Sequence, residues 1–416
     1  MPDAQGSMHS SDRSHEPLGG AADFIRAPRT RIAATRQMMS DTPSAIRLKS
    51  FRLNGVATSN VKKGERSRVL VRAEITSDQP EFHLFMQGIT NLVVGKAKDA
   101  GVVVQMDRVS AMLVVTREGG IADLYLHDFP FEMEFLAKRN MAKGEMVHQS
   151  DIADVRRLRL SGLALQPEDG VLCCFKVGWK FALFFDLHPD RILDVDAMER
   201  SLGRLYRRLA YQGLYDAFES ETGLSKLVAA GWFPFIEIIG GEFEELLKAY
   251  GDDLNVEAAT AKLLRRFDAP RIDGLAMRWW KGSLLSRRRD ILEPALEAFT
   301  HRDPVSCIKI ILTEIEGILQ DLHIGEQGSG MSTKELLAFA ANRGVQKASD
   351  PNSLLFPQQF LRYMRAYTYA RFDPRKAEAS VMSRHSVAQE RAKAKAYTME
   401  RALQSILTLD QINFYV

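Results

Sequence analysis

The chain has 416 residues, 45 % hydrophobic and 26 % charged, an ordinary globular composition that excludes a mostly disordered chain, a collagen-like fibre and a coiled-coil rod. Its formal charge is +3, from 56 basic against 53 acidic residues, too little for a protein that coats nucleic acid. The excess is local: residues 1–75 carry 13 basic and 7 acidic side chains, and the remainder 43 and 46.

Residues 1–45 are small and polar, show no periodicity and carry Arg26, Arg29, Arg31 and Arg36. They read as a flexible basic tail. The first 20 residues lack an apolar core, so they do not read as a secretory signal, and the expected location is cytoplasmic.

From Ile46 to about residue 190 the pattern is β. Val69, Val71, Ala73 and Ile75 alternate with more polar neighbours, as on a half-buried strand. Met112 to Thr116, Gly119-Gly120 and Ile121 to His127 predict a hairpin. Phe131, Met133 and Phe135 alternate with Glu132 and Glu134, the cleanest period of two in the chain. Val171 to Leu187 predicts two core strands around Gly178-Trp179. This spacing of short strands predicts a small sandwich or barrel. Cys173 and Cys174 are adjacent on one strand and face opposite ways, so they read, with Cys307, as reduced and buried.

After Asp194 the period becomes helical. Asp196 with Glu199 predicts an N-cap and its return partner, and Pro234 a helix start ahead of a stripe from Ile236 to Tyr250. Within that stripe Gly240-Gly241 predicts a kink. Helices are also predicted over 255–267 and 272–281, and from Arg287-Arg288-Arg289. Asp303-Pro304 predicts a helix to about Leu322, buried along Ile308, Leu312, Ile315, Leu319 and Leu322. Beside that face run Lys309, Thr313, Glu316 and Gln320, turned to solvent or to a cleft. Ser332 with Glu335 predicts the next start, Pro357 another running to Phe372, and a closing helix begins near Thr398. The fold class expected is α+β. A tail (1–45) and a β-rich domain (46–190) precede a helical middle (191–286) and a helical bundle (287–416).

One stretch suggests chemistry: Ser383-Arg384-His385-Ser386-Val387-Ala388-Gln389-Glu390, then Tyr397 and the apolar Leu403, Ile406, Leu407 and Leu409. Together with Leu312 to Leu319, it resembles the HEPN-type helical domain of bacterial proteins. The resemblance spans about residues 287–416. The region from Lys176 onward also resembles an uncharacterised bacterial family with no activity attached to it. Active HEPN proteins are metal-independent ribonucleases. Their Asn-Arg-His-x-x-x-His-Gly motif pairs a fixed cation for the phosphorane with an imidazole that moves the proton. Arg384 matches the arginine. Gln389 stands at the second histidine, Glu390 at the glycine and Ser383 at the asparagine. Glutamine cannot take a proton near neutral pH.

The resemblance therefore implies a catalytically inactive module that binds RNA or a partner protein, with Arg384, Arg391, Lys393, Lys395 and Arg401 available to phosphate. One alternative is an active ribonuclease using Arg384, His385, the Gln389 position and Glu316. The other is a structural or oligomerising domain, with Arg384 paired to Glu316 or Glu314. A homodimer through the C-terminal helices is expected, and no cofactor, metal or membrane.

Overall fold

In the computed structural model, which describes residues 44–127, 131–188, 192–220, 224–348, 350–370 and 396–416, the β-branched runs assemble into one antiparallel sheet. Its strands are β1 (Ile46–Lys49), β4 (Arg72–Thr76), β5 (Ala111–Arg117), β6 (Ile121–Leu126), β9 (Gly170–Val177) and β10 (Lys180–Asp186), ordered β1-β6-β5-β9-β10-β4. The sheet is open, with β1 and β4 at its edges. Two ribbons accompany it: β2 (Val56–Ala57) with β3 (Val69–Leu70), and β7 (Phe131–Ala137) with β8 (Ile152–Leu160). The expected tail lies, up to residue 43, outside the described residues.

The strand period of two sends alternate side chains to two apolar layers. Val114, Leu124, Leu172, Cys174 and Leu183 face one helix, α1 (Pro80–Asp99). This 20-residue helix corrects the uniformly β reading of residues 46–190. Its signal is a proline at the first turn followed by Phe82, Phe85, Ile89, Val93 and Ala97, all buried. On the other face Leu113, Val115, Cys173, Phe175 and Phe184 pack on the β7–β8 ribbon and on α2 (Val195–Ala210). Cys173 and Cys174 are thus buried on opposite faces, and both are free.

The fold is α+β, with most helices in the C-terminal part. They are α3 (Gln212–Glu219), α4 (Ser225–Ala229), α5 (Gly241–Asp252), α6 (Val256–Arg266), α7 (Ala269–Lys281), α8 (Ser283–Ser286), α9 (Arg289–Thr300), α10 (Pro304–Gln327), α11 (Thr333–Ala348), α12 (Pro357–Tyr363) and α13 (Met399–Tyr415). The caps at Asp303, Ser332 and Thr398 form as expected: Asp303 accepts from the Val305 and Ser306 amides at 3.1 Å, Glu335 from the Ser332 amide at 3.0 Å, and Thr398 from the Arg401 amide at 3.2 Å.

Other starts differ. The N-cap of α2 is Asp194, which accepts from Ala197 N at 2.9 Å; Asp196 is instead ion-paired with Arg157 and Arg200. Pro234 starts no helix. Residues 236–240 form turns, and Gly240, with φ 126°, starts α5 rather than kinking a longer helix. The helix from Pro357 ends at Tyr363 and widens into a π turn over Met364–Thr368.

Core packing runs across residues 190 and 286. Helix α2 belongs to the sheet's core through Met198, Leu202, Leu205 and Leu209. Trp232 and Leu275 share one core with Leu312 and Leu407. Where α2 crosses β8, a Cβ on Gly203 would stand 2.7 Å from the Arg157 Cα, so glycine permits the close approach. One turn later Arg207, 1 % exposed, ties sheet to helices. It donates to the Val155 carbonyl, lies 3.8 Å from Asp154 and pairs with Asp350 at 3.2 Å. The fully buried Asp154 also accepts from Ser353 Oγ at 2.7 Å and Leu354 N at 3.2 Å.

Candidate functional site

Most of the predicted C-terminal site, namely Arg384, His385, Gln389, Arg391, Lys393 and Lys395, lies outside the described residues. Glu316 and Arg401 lie within them. Glu316, on α10, accepts from Thr333 Oγ1 at 3.0 Å, so the polar stripe of α10 meets the start of α11 there. Its neighbour Glu314 is paired with Arg288, which also reaches Asp321. Arg401 opens α13 with its guanidinium 3.8 Å over the Tyr367 ring and donates to Gln404 Oε1 at 3.0 Å. Burial lowers it to about 10, so this cation is built into the packing of α13 on the π turn. The structure thus shows Glu316 and Arg401 engaged with different helices.

A different cluster lines a cleft of about 480 Å³ between the sheet unit and the helical unit. Five separate stretches of chain supply it. The β7–β8 turn brings Lys138, Arg139 and Asn140; the segment before α5 brings Glu237; α7 brings Arg278 and Lys281; α11 brings Lys347; α13 brings Asp410 and Asn413. The turn is held firmly. Lys138 N donates to the Asp151 carbonyl at 2.8 Å, and Arg139 Nε to Asp151 Oδ1 at 2.7 Å. Asp151 also accepts from His148 N at 2.8 Å.

The carboxylates of the cleft are engaged. Glu237 accepts from Arg271 Nε at 3.1 Å and from Arg278 at 2.6 Å. Glu242 takes the fork of Arg271 at 2.7 and 2.8 Å. Asp410 accepts from Trp279 Nε1 at 2.7 Å. Burial, reinforced by the charge of Glu237, pushes the Asp410 carboxyl up to about 6.

The lysines are not matched in this way. Among the described residues the side-chain amines of Lys138 and Lys281 have no hydrogen-bond or ion-pair partner. Lys347 donates to the Phe414 carbonyl and lies 4.9 Å over the Phe414 ring, without a carboxylate. Burial lowers Lys138 to about 8, only partly offset by Glu237. Lys347 is lowered too, by burial and then by Arg156. The cleft is a preformed cationic recess with two titratable groups whose pKa values converge on neutrality from opposite sides.

The sequence reading named none of these residues as a site. One signal was present: Asp410 stands directly after the apolar run of the closing helix that ends at Leu409. The other members are 30 to 100 residues apart or more, and no spacing rule joins them.

Among the described residues no helix is long and apolar enough to cross a membrane, and no group of three or more His, Cys, Asp or Glu side chains is placed to hold a metal ion. Compared with family models, curated proteins and solved structures, the chain matches none of them.

Proposed function

We propose that the protein is a binding protein for an anionic ligand, carrying a phosphate or carboxylate group, which it takes in the cleft between the β7–β8 turn, α7 and α13. One observation carries the reading. Lys138, Lys281 and Lys347 line one recess and, among the described residues, none has a carboxylate partner. Cations gathered around one recess with fewer carboxylates than cations repel, and an anion relieves that repulsion. Arg278 is already engaged by Glu237, so the lysines, compact cations with rotatable donors, are the groups left to meet the ligand.

An RNA backbone carries the same phosphate chemistry. RNA or partner binding through residues 384–401, and a homodimer of the C-terminal helices, are supported by the sequence resemblance. The two sources of phosphate separate in one calorimetric series, with inorganic phosphate, a small dicarboxylate and a short single-stranded RNA titrated into the full chain. The cleft reading expects stoichiometric binding of a small anion, weakened by salt and by Lys281→Ala. Binding of RNA alone, unchanged in Lys281→Ala, would move the function to the C-terminal segment. No heat with any of the three would overturn the reading.

A further inference from the structure

Lys138 differs from the other cations of the cleft. Its backbone is fixed by the β7–β8 hairpin, its side chain lines the recess, and among the described residues its amine has no partner. The charged groups that act on it are Glu237 and Glu242, which favour its protonation, and Arg271 and Arg278, which oppose it. Asp410, on the facing helix α13, lines the same recess and is held in place by Trp279. An unpartnered amine beside cations, with a carboxyl group in the same cavity, is the arrangement that nucleophilic lysines require.

We propose that Lys138 forms an imine with the carbonyl carbon of a small 2-oxo acid whose carboxylate is held by Lys281 and Lys347. The inference rests on the anion-binding reading of the cleft and adds a bond to it. The lone pair of the neutral amine forms the new C–N bond. The carbonyl C–O bond then breaks, and the amine's two hydrogens leave with the oxygen as water. The Asp410 carboxyl gives a proton to the departing oxygen, and its carboxylate takes one back from the nitrogen. The step is a condensation, so it needs neither oxidant nor reductant.

The chemistry of the pair suits this. With Lys138 lowered to about 8, roughly a tenth of it is the free base at neutral pH, against less than about a thousandth for an ordinary lysine. With Asp410 pushed up to about 6, both of its protonation states are populated near neutrality.

Reductive trapping tests the proposal. The full chain is incubated with glyoxylate and cyanoborohydride, and the secondary amine is located by peptide mass spectrometry. The expected result is one adduct at Lys138, formed at least about tenfold faster than at the surface residue Lys334 and slowed by excess inorganic phosphate. Lys138→Arg and Lys138→Met should lose that adduct while melting as cooperatively as the parent. Asp410→Asn should keep the adduct but form it more slowly, leaving only the roughly tenfold rise per pH unit between about pH 5 and 7 that deprotonation of Lys138 imposes, whereas a purely structural role of Asp410 would leave the profile unchanged.

Label spread over surface lysines, or absent from Lys138, would overturn the imine. If inorganic phosphate still binds the cleft in that case, the anion-binding reading stands and the imine alone fails. If phosphate does not bind either, both fail.

Discussion

Two of the charged clusters among the described residues are treated in opposite ways. At the crossing of α2 and β8, Arg207 meets Asp154 and Asp350, and Asp154 is further satisfied by Ser353 and Leu354. At the cleft, Glu237 and Asp410 are engaged while Lys138 and Lys281 are not, among the described residues. The first cluster pairs opposite charges across the join of the sheet and the helical unit, although Arg207 Nε keeps no hydrogen-bond partner there. The second is open and holds cations in excess. The structural ion cluster balances its cation with its own carboxylates, whereas the cleft leaves part of its positive charge to be balanced from outside.

The sharpest way to break this contrast is at Arg207. Arg207→Ala leaves Asp154 buried without its cation and should cost about 3–5 kcal/mol, read from urea denaturation. Burial already pushes the Asp154 carboxyl up, so the loss should be smaller in acid, where it protonates. A cost below about 1 kcal/mol would show that the cluster does not hold the two units together.

The next effect is steric. Gly203→Ala places a methyl group against the β8 backbone, at 2.7 Å from the Arg157 Cα, and should destabilise by about 1–3 kcal/mol with no change in phosphate binding.

Substitutions in the cleft should show the reverse pattern. Lys281 is exposed, so Lys281→Ala should alter stability by no more than about 0.5 kcal/mol. It should weaken phosphate about tenfold, the equivalent of one charge-assisted hydrogen bond.

A further set of effects is in pH dependence, and the two cleft groups have opposite signs. Lys138 titrates lower folded than unfolded, so the unfolded chain binds more protons between about 8 and 10.5. Stability conferred by this group therefore rises with pH across that window, and the parent should gain on Lys138→Met there. Asp410 titrates higher folded, so its contribution falls as pH rises from about 4 to 6, and the parent should lose ground to Asp410→Asn. Parallel stability curves for parent and variant would contradict both shifts.

Local patterns were legible in the sequence. The hairpins around Gly119-Gly120 and Gly178-Trp179 form as the alternation predicts, as do the caps at Asp303, Ser332 and Thr398. Each depends on neighbours within a few positions. Helix α1 was missed although Pro80 and its apolar stripe announce it, because strong β signals flank it on both sides. The α5 start was misplaced because Pro234, Ile236 and Ile239 carry helical spacing but are buried in turns.

The cleft was not legible. Its residues come from five stretches that only the tertiary fold brings together. The predicted RNA-facing cations show the converse limit: Arg401 stands in a locally basic stretch, yet its guanidinium is spent on Tyr367 and Gln404. Charge counted along the chain does not say which cations the fold packs against its own side chains.

Calorimetric titration of inorganic phosphate into the parent, Lys138→Met and Lys281→Ala, at low and at moderate salt, tests the central claim most directly. One phosphate per chain should bind the parent, with affinity falling as salt rises and weakening in both variants while their melting stays cooperative. Equal binding by all three proteins, or none by the parent, would contradict the claim that the unmatched lysines of the cleft are a ligand site.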